Sequence, residues 1–179
     1  MVFSRVSLTV SSKLDRNNVR ALYEKHSRGL FAYGCSFTNS FAAAEDCVHQ
    51  VFVRLLREDL QIPDSPIPYL YRAVRNAALN HRRDRGREVD LDDLWLETTA
   101  GTTYAGIELQ SSLQELPEKQ REVIILHIWG QLNFEEIGDA LEISSNTASS
   151  RYRYGLQKLR EQFQVVSKNK LRSAYGSAR

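Results

Sequence analysis

Apolar residues recur along this chain mostly at the spacing of an α-helix, and the strict alternation that marks a surface strand is scarce. The strongest pattern lies in segment 41–57, where apolar positions repeat at i, i+1, i+4 and i+5. Such a repeat places one wide apolar face on a helix. The residues of this face are Ala43, Ala44, Cys47, Val48, Val51, Phe52, Leu55 and Leu56. The pattern predicts an all-α protein.

The segment before it predicts a helix that begins near Val19, with Asn17 or Asn18 as its cap. Gly29 and Gly34 lie inside this helix, and each costs about 1 kcal/mol relative to alanine. The helix is therefore expected to be irregular.

A proline-rich segment precedes the third predicted helix. Three prolines fall within residues 62–68, and this segment is predicted to be a loop because proline disrupts a helix interior. The third helix is predicted over residues 69–83. Its inward side is expected to hold Leu70, Ala73, Val74, Ala77 and Ala78.

The composition changes between residues 88 and 106, which are rich in acidic and turn-forming residues. We interpret this segment as an interdomain linker. The chain is therefore predicted to form two small helical domains, 17–87 and 107–166, followed by a flexible basic tail over residues 167–179.

The second domain opens with leucines at helical spacing. Pro117 is expected as the first residue of the next helix, because its fixed φ suits that position. The apolar run 123–129 predicts a central buried helix, with Gly130 as its C-terminal cap.

The remainder of the second domain matches a DNA-binding helix-turn-helix in element length and order. A short helix over 134–141, capped by Asn133, is followed by a turn at 142–144 and a last helix over 145–163.

The last helix has two distinct faces. Its predicted core side is Ala148, Tyr152, Leu156, Leu159 and Phe163. The opposite face carries Asn146, Thr147, Ser150, Arg153, Tyr154 and Gln157, with Arg151 and Lys158 on the flank. This outward face has no carboxylate before Glu161, and its groups can read base edges and hold phosphates. An ordinary solvated amphipathic helix is the alternative.

The third helix combines arginines with aromatic and amide side chains. These residues are Tyr69, Tyr71, Arg72, Arg75, Asn76, Asn80, His81, Arg82, Arg83, Arg85 and Arg87. Arginine holds phosphates, and the aromatic and amide groups can stack on and read unpaired bases. A solvated charged helix end is the alternative.

Composition restricts the function further. The net charge of +2 does not by itself indicate nucleic-acid binding, so the argument depends on where the charges lie. Cys35 and Cys47 lack a CxxC spacing and are expected to be buried thiols in a reducing cytosol. The histidines show no metal-ligand spacing. No run approaches the ~18 apolar residues of a membrane span. We therefore expect a soluble cytoplasmic protein that is not an enzyme and has no cofactor or metal.

Several stretches together resemble the extracytoplasmic-function (ECF) sigma factors of bacteria, which belong to the primary-sigma superfamily. Ala44–Leu55 is similar to their second conserved region, and Tyr69–His81 to the promoter-melting helix that follows it. Leu116–Val123, Phe134–Gly138 and Asn146–Arg151 resemble their fourth region.

The resemblance implies a fold of two helical domains and a division of labour between them. The first domain would bind the β′ clamp of core RNA polymerase and open the minus-ten element, and the second would contact the β flap and read the minus-thirty-five element of promoter DNA. The polymerase contacts would be Asp46, His49, Gln50, Phe52 and Arg54. The minus-ten contacts would be Tyr69, Arg72, Arg75, Asn76, Asn80, Arg82 and Arg83. The minus-thirty-five contacts would be Asn146, Thr147, Ser150, Arg151, Arg153 and Lys158. An anti-sigma factor is a further expected partner.

The sequence departs from the family pattern at three places. His49-Gln50 stands where the family usually has Gln-Glu, so one expected carboxylate is missing at the clamp contact. Tyr69 replaces the usual tryptophan of the melting helix. Glu142 replaces the usual glycine of the helix-turn-helix turn, and a positive φ there would strain the turn.

Other functions are consistent with parts of the pattern. A DNA-binding regulator could use the same helix-turn-helix without being a polymerase subunit, but it would need a sensing domain such as an alternating βα receiver. A protein-interaction module that has lost DNA binding is opposed by the basic third helix. An enzyme would need a nucleophile-base pair, a phosphate loop or a metal cluster, and the sequence offers none.

Overall fold

The computed structural model describes residues 16–57, 65–84 and 104–176. Within these ranges the chain is helical and contains no strand, which confirms the all-α prediction. The helices are α1 (Arg16–Thr38), α2 (Phe41–Arg57), α3 (Pro66–Asp84), α4 (Tyr104–Glu115), α5 (Glu118–Ile128), α6 (Phe134–Leu141) and α7 (Ser145–Gly176). Apart from residues 104–106, the predicted linker lies outside the described residues, as do Arg85 and Arg87.

Helix α1 is longer and more regular than predicted. It begins at Arg16, so Asn17 and Asn18 lie inside it and do not cap it. It also runs without a break through both of its glycines. At Gly34 the missing side chain permits close packing, because a Cβ there would lie 3.2 Å from the Cβ of Ala44 on α2.

Helix α3 begins earlier than predicted, because residues 66–68 are helical. The prolines in its first turn remove no hydrogen bond, since the first four N–H groups of a helix have no intrahelical acceptor. Pro66 is the first helical residue, and Pro68 is buried. The predicted loop therefore includes the first turn of a helix.

Both ends of α5 differ slightly from prediction. Pro117 is the N-cap and not the first helical residue, and its carbonyl accepts from the backbone N–H groups of Gln120 and Arg121 at 2.8 and 3.1 Å. The left-handed residue after the helix is Gln131, with φ 56°. Gly130 serves close packing, because a Cβ there would lie 2.4 Å from the carbonyl oxygen of Leu126.

Helix α6 has the predicted bounds and the predicted Asn133 cap. The Asn133 side chain accepts from the backbone N–H groups of Glu135 and Glu136, both at 2.9 Å, and the Glu136 carboxylate accepts from the Asn133 N–H at 2.9 Å. This reciprocal capping box fixes the start of the helix. The turn after α6 places Glu142 in the left-handed region, at φ 57° and ψ 44°.

Helix α7 packs through a narrower face than predicted. Ala148 and Leu159 are buried, whereas Leu156, predicted to be in the core, is 36% exposed. Gly155 lies in the contact instead, because a Cβ there would lie 2.7 Å from Cδ1 of Ile124. The helix also continues to Gly176, past the predicted end at Phe163. No proline or glycine interrupts residues 164–175, which explains the longer helix.

The two helical domains pack against each other. Helix α1 contacts α5, and α3 contacts α6. One buried apolar cluster includes Leu30 and Tyr71 from the first domain and Ile125 and Leu126 from the second. The basic helix α3 therefore lies directly beside the helix-turn-helix.

Candidate nucleic-acid interface

The outer face of α2 carries most of the predicted polymerase contacts. Asp46, His49, Gln50 and Arg54 are all exposed. Their spacing follows from the apolar face described above, which turns the opposite side of the helix to solvent. The polar side chains therefore form one surface stripe.

Phe52 is a correction to the predicted polymerase contacts. Its side chain is 5% exposed, and its ring meets the ring of Tyr23 edge to face at 5.0 Å. A partner docked on the surface cannot reach it. The exposed apolar residues of this helix are instead Val53, at 43%, and Leu56, at 51%. Leu56 was predicted to be inward, and the helical spacing alone does not identify either residue as a surface contact.

A groove of about 540 Å³ lies between α2 and α3. Its lining residues are Cys47, Gln50, Val51 and Arg54 from α2, and Tyr69, Arg72, Ala73, Asn76, Ala77, Asn80, His81 and Asp84 from α3. The groove thus joins predicted polymerase contacts to predicted minus-ten contacts. Its volume is in the range of small-molecule sites. Burial and the charge of Asp46 raise the pKa of the Cys47 thiol.

Arg75 lies outside this groove in a partly buried network. Its Nε is 2.7 Å from Oε1 of Glu122 on α5, a carboxylate that is 4% exposed. The Tyr33 hydroxyl donates to the same oxygen at 3.4 Å. Burial alone would lower the pKa of Arg75, but the hydrogen bond to Glu122 and the charge of that carboxylate raise it overall. Burial, reinforced by the negative charge of Glu122, raises the pKa of Tyr33. The network therefore pairs the buried carboxylate of Glu122 with the charge of Arg75.

Two more of the predicted minus-ten arginines also contact the second domain. Arg72 lies 3.2 Å from the Glu142 carboxylate and donates to the carbonyl oxygen of Asp139. Arg82 lies 3.0 Å from the Glu118 carboxylate. These contacts were not predicted.

The remaining predicted minus-ten residues have different surroundings. Asn76 and Asn80 are exposed, Tyr69 is half-buried, and Arg83 is exposed beside Asp84, 3.5 Å away. Tyr71, whose ring was predicted to meet unpaired bases, is buried at 1% exposure, and its hydroxyl has no hydrogen-bond partner among the described residues. Burial raises its pKa.

The start of α7 presents the predicted minus-thirty-five residues. Asn146, Thr147, Arg153 and Lys158 are exposed, and Ser150 and Arg151 are half-buried. The Ser144 hydroxyl accepts from the Thr147 N–H at 3.1 Å, which caps the helix.

The side chains on this face are also partly ordered by each other. The Thr147 hydroxyl lies 2.8 Å from that of Ser144. The Arg153 guanidinium lies over the ring of Tyr154, 5.3 Å from its centre. Tyr154 is 52% exposed, so it adds a stacking surface. Residues 145–160 of α7 contain no carboxylate, so none lies on this exposed face before Glu161.

Metal-ligand groups and membrane-spanning helices are both absent from residues 16–57, 65–84 and 104–176. No group of histidine, cysteine or acidic side chains there could hold a metal ion. No helix there is long and apolar enough to cross a membrane.

Family models match both halves of the chain. The model described as Sigma-70 region 2 matches residues 22–88, and the model described as Sigma-70, region 4 matches residues 112–161. The first match contains α2 and α3, and the second contains the helix-turn-helix.

Curated relatives extend the similarity across both matches. The ECF RNA polymerase sigma factor SigE of Mycolicibacterium smegmatis is 27% identical over 166 residues, which are 86% of this chain and 64% of that protein. SigL of Mycobacterium tuberculosis is 28% identical over 153 residues, covering 79% of this chain and 86% of SigL. SigM of Bacillus subtilis is 25% identical over 132 residues, covering 69% and 81%. The chain thus spans under two thirds of SigE but most of SigL.

A solved structure shares the fold. CnrH, determined in complex with the cytosolic domain of CnrY, aligns with a TM-score of 0.61 and 23% identity over 84% of this chain and 90% of that one.

Proposed function

This chain is an RNA polymerase sigma factor that belongs to the sigma-70 family, in its extracytoplasmic-function group, and from that premise we propose how its surfaces share promoter recognition. The observation that supports the proposal best is the combination of a polar groove in the first domain with a carboxylate-free recognition face in the second. Both surfaces are suited to promoter DNA. The proposed domains are 17–87 and 107–166.

The stripe on α2 is the proposed docking surface for core polymerase. Asp46, His49, Gln50 and Arg54 offer charges and hydrogen bonds to the β′ clamp, with Val53 and Leu56 as apolar neighbours. Interfaces of this kind place apolar groups at their centre and polar groups at the rim. The second domain would contact the β flap. Because core polymerase is cytoplasmic, so is the proposed site of action.

The groove between α2 and α3 is the proposed minus-ten site. Extruding a base costs a few kcal/mol, and a prepared pocket with stacking surfaces offsets that cost. Tyr69 offers the stacking surface, and Asn76 and Asn80 offer amide donors and acceptors. Arg72, Arg75, Arg82 and Arg83 would hold the neighbouring phosphates.

The start of α7 is the proposed minus-thirty-five reader. Asn146, Thr147 and Arg153 are exposed on its first turns, where a recognition helix meets base edges. Arg151 and Lys158 lie on the flank and are suited to phosphates. Ser150 is half-buried and is assigned to the edge of this contact.

An anti-sigma factor is a further proposed partner. CnrH was solved with CnrY bound, and this chain shares its fold. We propose that an anti-sigma factor binds this chain.

The test of the proposed function is run-off transcription with core polymerase and genomic promoter fragments. The wild-type chain should bind core polymerase and start transcription at specific sites. Asp46→Arg should weaken core binding at least tenfold without loss of helical content, because it reverses the charge of the one carboxylate in the stripe. Glu45→Arg, a charge reversal at the half-buried neighbouring position, is the control for general charge effects. A wild-type chain that fails to bind core polymerase would contradict the proposal.

A further inference from the structure

A second cavity, of about 270 Å³, lies between helix α1 and the end of α5. Its walls are Lys25, His26, Arg28 and Gly29 of α1, Tyr71 of α3, and residues 128–131. It shares no lining residue with the groove between α2 and α3. The cavity is therefore a separate site, and its volume is slightly below that of drug-sized ligand sites, which suits a small molecule.

The cavity is positively charged. Lys25 and Arg28 are exposed, and neither forms an ion pair with another described residue. Burial, and next the charge of Lys25, lower the pKa of His26 below its ordinary value, so its imidazole is mostly neutral at neutral pH. Glu136 acts on His26 in the opposite direction but does not line the cavity, and no lining residue is a carboxylate. An anion in the cavity would therefore meet two cations and no negative side chain of its wall.

The cavity wall also includes a hydroxyl that no other described residue uses. The Tyr71 side chain is 1% exposed, and its hydroxyl has no hydrogen-bond partner among the described residues. This hydroxyl lies beside two other lining residues, since a Cβ on Gly29 or Gly130 would be 2.4 or 3.0 Å from it. Burial raises the pKa of Tyr71, so the hydroxyl keeps its proton and can donate a hydrogen bond to an anion. Because a buried hydroxyl without a partner is costly, an accepting ligand atom is favoured there.

Apolar surface lies beside these polar groups. Ile128 is 48% exposed, and Trp129 is half-buried. An inorganic anion gains nothing from such a wall, whereas the apolar part of an organic anion is removed from water when it lies against it. The combination of cations, a hydroxyl donor and apolar surface therefore favours an organic anion over a simple ion.

We propose that this cavity binds a small organic anion, a carboxylate or a phosphate monoester, whose oxygens accept hydrogen bonds from Lys25, Arg28 and the Tyr71 hydroxyl. Its apolar part lies against Ile128 and Trp129. Arginine binds both kinds of anion through the same fork of N–H donors, so the charged group is identified by experiment. The proposal is independent of the proposed promoter and polymerase contacts, because none of them lines this cavity.

The test measures the binding of three probes, phenyl phosphate, benzoate and inorganic phosphate, to the full-length chain without polymerase or DNA. The readout is the indole N–H signal of Trp129 in a heteronuclear NMR spectrum. The chain has two tryptophans, so a Trp95→Phe background leaves this signal alone in the spectrum. A saturable shift of the signal gives the dissociation constant of each probe.

Two charge variants are compared in that background. The cavity variant is Lys25→Gln with Arg28→Gln. The control variant, Arg20→Gln with Lys119→Gln, removes two exposed cations that do not line the cavity. Both variants change the net charge equally, so a general effect of charge on anion binding affects them alike.

We expect at least one of the organic anions to shift the Trp129 signal saturably, and the tighter of the two identifies the charged group. Inorganic phosphate should bind about tenfold more weakly or less, because it buries no apolar surface. The cavity variant should lose affinity by about tenfold or more, since it removes hydrogen bonds from charged donors. Tyr71→Phe, which removes only the hydroxyl, should lose about three- to tenfold, and the control variant less than about twofold.

No saturable shift with either organic anion, or equal affinity of the cavity and control variants, would overturn the proposal. Inorganic phosphate that binds as tightly as the organic anions would also overturn it, as would an unchanged affinity in a folded Tyr71→Phe protein. If Tyr71→Phe does not fold, the cavity variant decides the matter, because its two positions are exposed and leave the core untouched.

Discussion

The Tyr71 hydroxyl lies between Gly29 and Gly130, which belong to different domains. At an exposed helix position glycine would only destabilise the helix, and replacing it with alanine would stabilise the helix by about 1 kcal/mol. Here a Cβ on Gly29 would also lie 2.7 Å from the carbonyl oxygen of Trp129. Sequence reasoning identified both glycines but predicted other roles for them, an irregular helix and a C-terminal cap. The contact that explains them is between residues far apart in the chain.

Gly29→Ala should therefore lower the free energy of unfolding by about 1–3 kcal/mol, the usual range for an overpacked site. Urea unfolding followed by circular dichroism would measure it. Ala21→Gly, at an exposed position of the same helix, calibrates the helix propensity alone. If Gly29→Ala stabilised the protein, the backbone at Gly29 would not lie as close to the Trp129 carbonyl oxygen as described.

Glu142 is a non-glycine residue in a left-handed conformation. Glu142→Gly should raise the free energy of unfolding by up to about 1 kcal/mol, because relief of the left-handed strain of ~1–2 kcal/mol exceeds the loss of a partly exposed ion pair. Glu142→Ala keeps the strain, loses the pair, and should be slightly destabilising. Thermal unfolding of wild type and both variants checks these effects. Glu142→Gly would be less stable than wild type if the pair with Arg72 were the stronger effect.

At the scale of elements, the sequence predicts a helix well where its apolar face and its caps agree. Helix α2 has an unbroken apolar repeat, and α6 has a capping box, so both have the predicted bounds. The start of α3 was missed because prolines in a first turn look the same in sequence as prolines in a loop. The end of α7 was missed because apolar periodicity fades while helix-forming residues continue.

Helix α7 allows base reading and phosphate holding to be separated. Arg153→Ala should change which minus-thirty-five sequences are accepted, since an arginine-guanine contact contributes about 1–3 kcal/mol of discrimination. Lys158→Ala should weaken all sequences about equally and lower the salt slope by roughly one unit. Binding to single-base promoter variants at two salt concentrations distinguishes these effects. If both variants lost affinity equally for all promoter sequences, Arg153 would not be a residue that reads a base.

At the scale of the whole molecule, sequence reasoning found the two helical domains but not their contact. The ion pairs Arg72–Glu142, Arg75–Glu122 and Arg82–Glu118 join the two domains. Their partners are far apart in the chain; Arg82 and Glu118, for example, are 36 positions apart. Helical periodicity reports which side of an element is buried, and it does not report which element covers it. The sequence therefore shows Arg72, Arg75 and Arg82 as a basic group on one predicted helix, but it does not indicate their acidic partners.

His26 gives this domain contact a pH dependence. Burial, and next the charge of Lys25, lower its pKa below the ordinary 6.5, while Glu136 on α6 opposes them. The unfolded chain therefore binds more protons below pH 6.5, so stability is complete above that pH and falls as the solution becomes more acidic. Urea midpoints at pH 7.5 and 5.5 should differ more for wild type than for His26→Gln. Equal differences would exclude His26 as the cause.

Helix α7 runs from the recognition residues to Gly176, 32 residues in one element. At 1.5 Å per residue it forms a rod of about 48 Å. Its far end is several Debye lengths from its first turn at physiological salt, where one Debye length is about 8 Å. The two ends are therefore electrically independent but mechanically coupled. A fluorophore attached at the far end would follow the tilt of the recognition helix on DNA without disturbing the charges that hold it there.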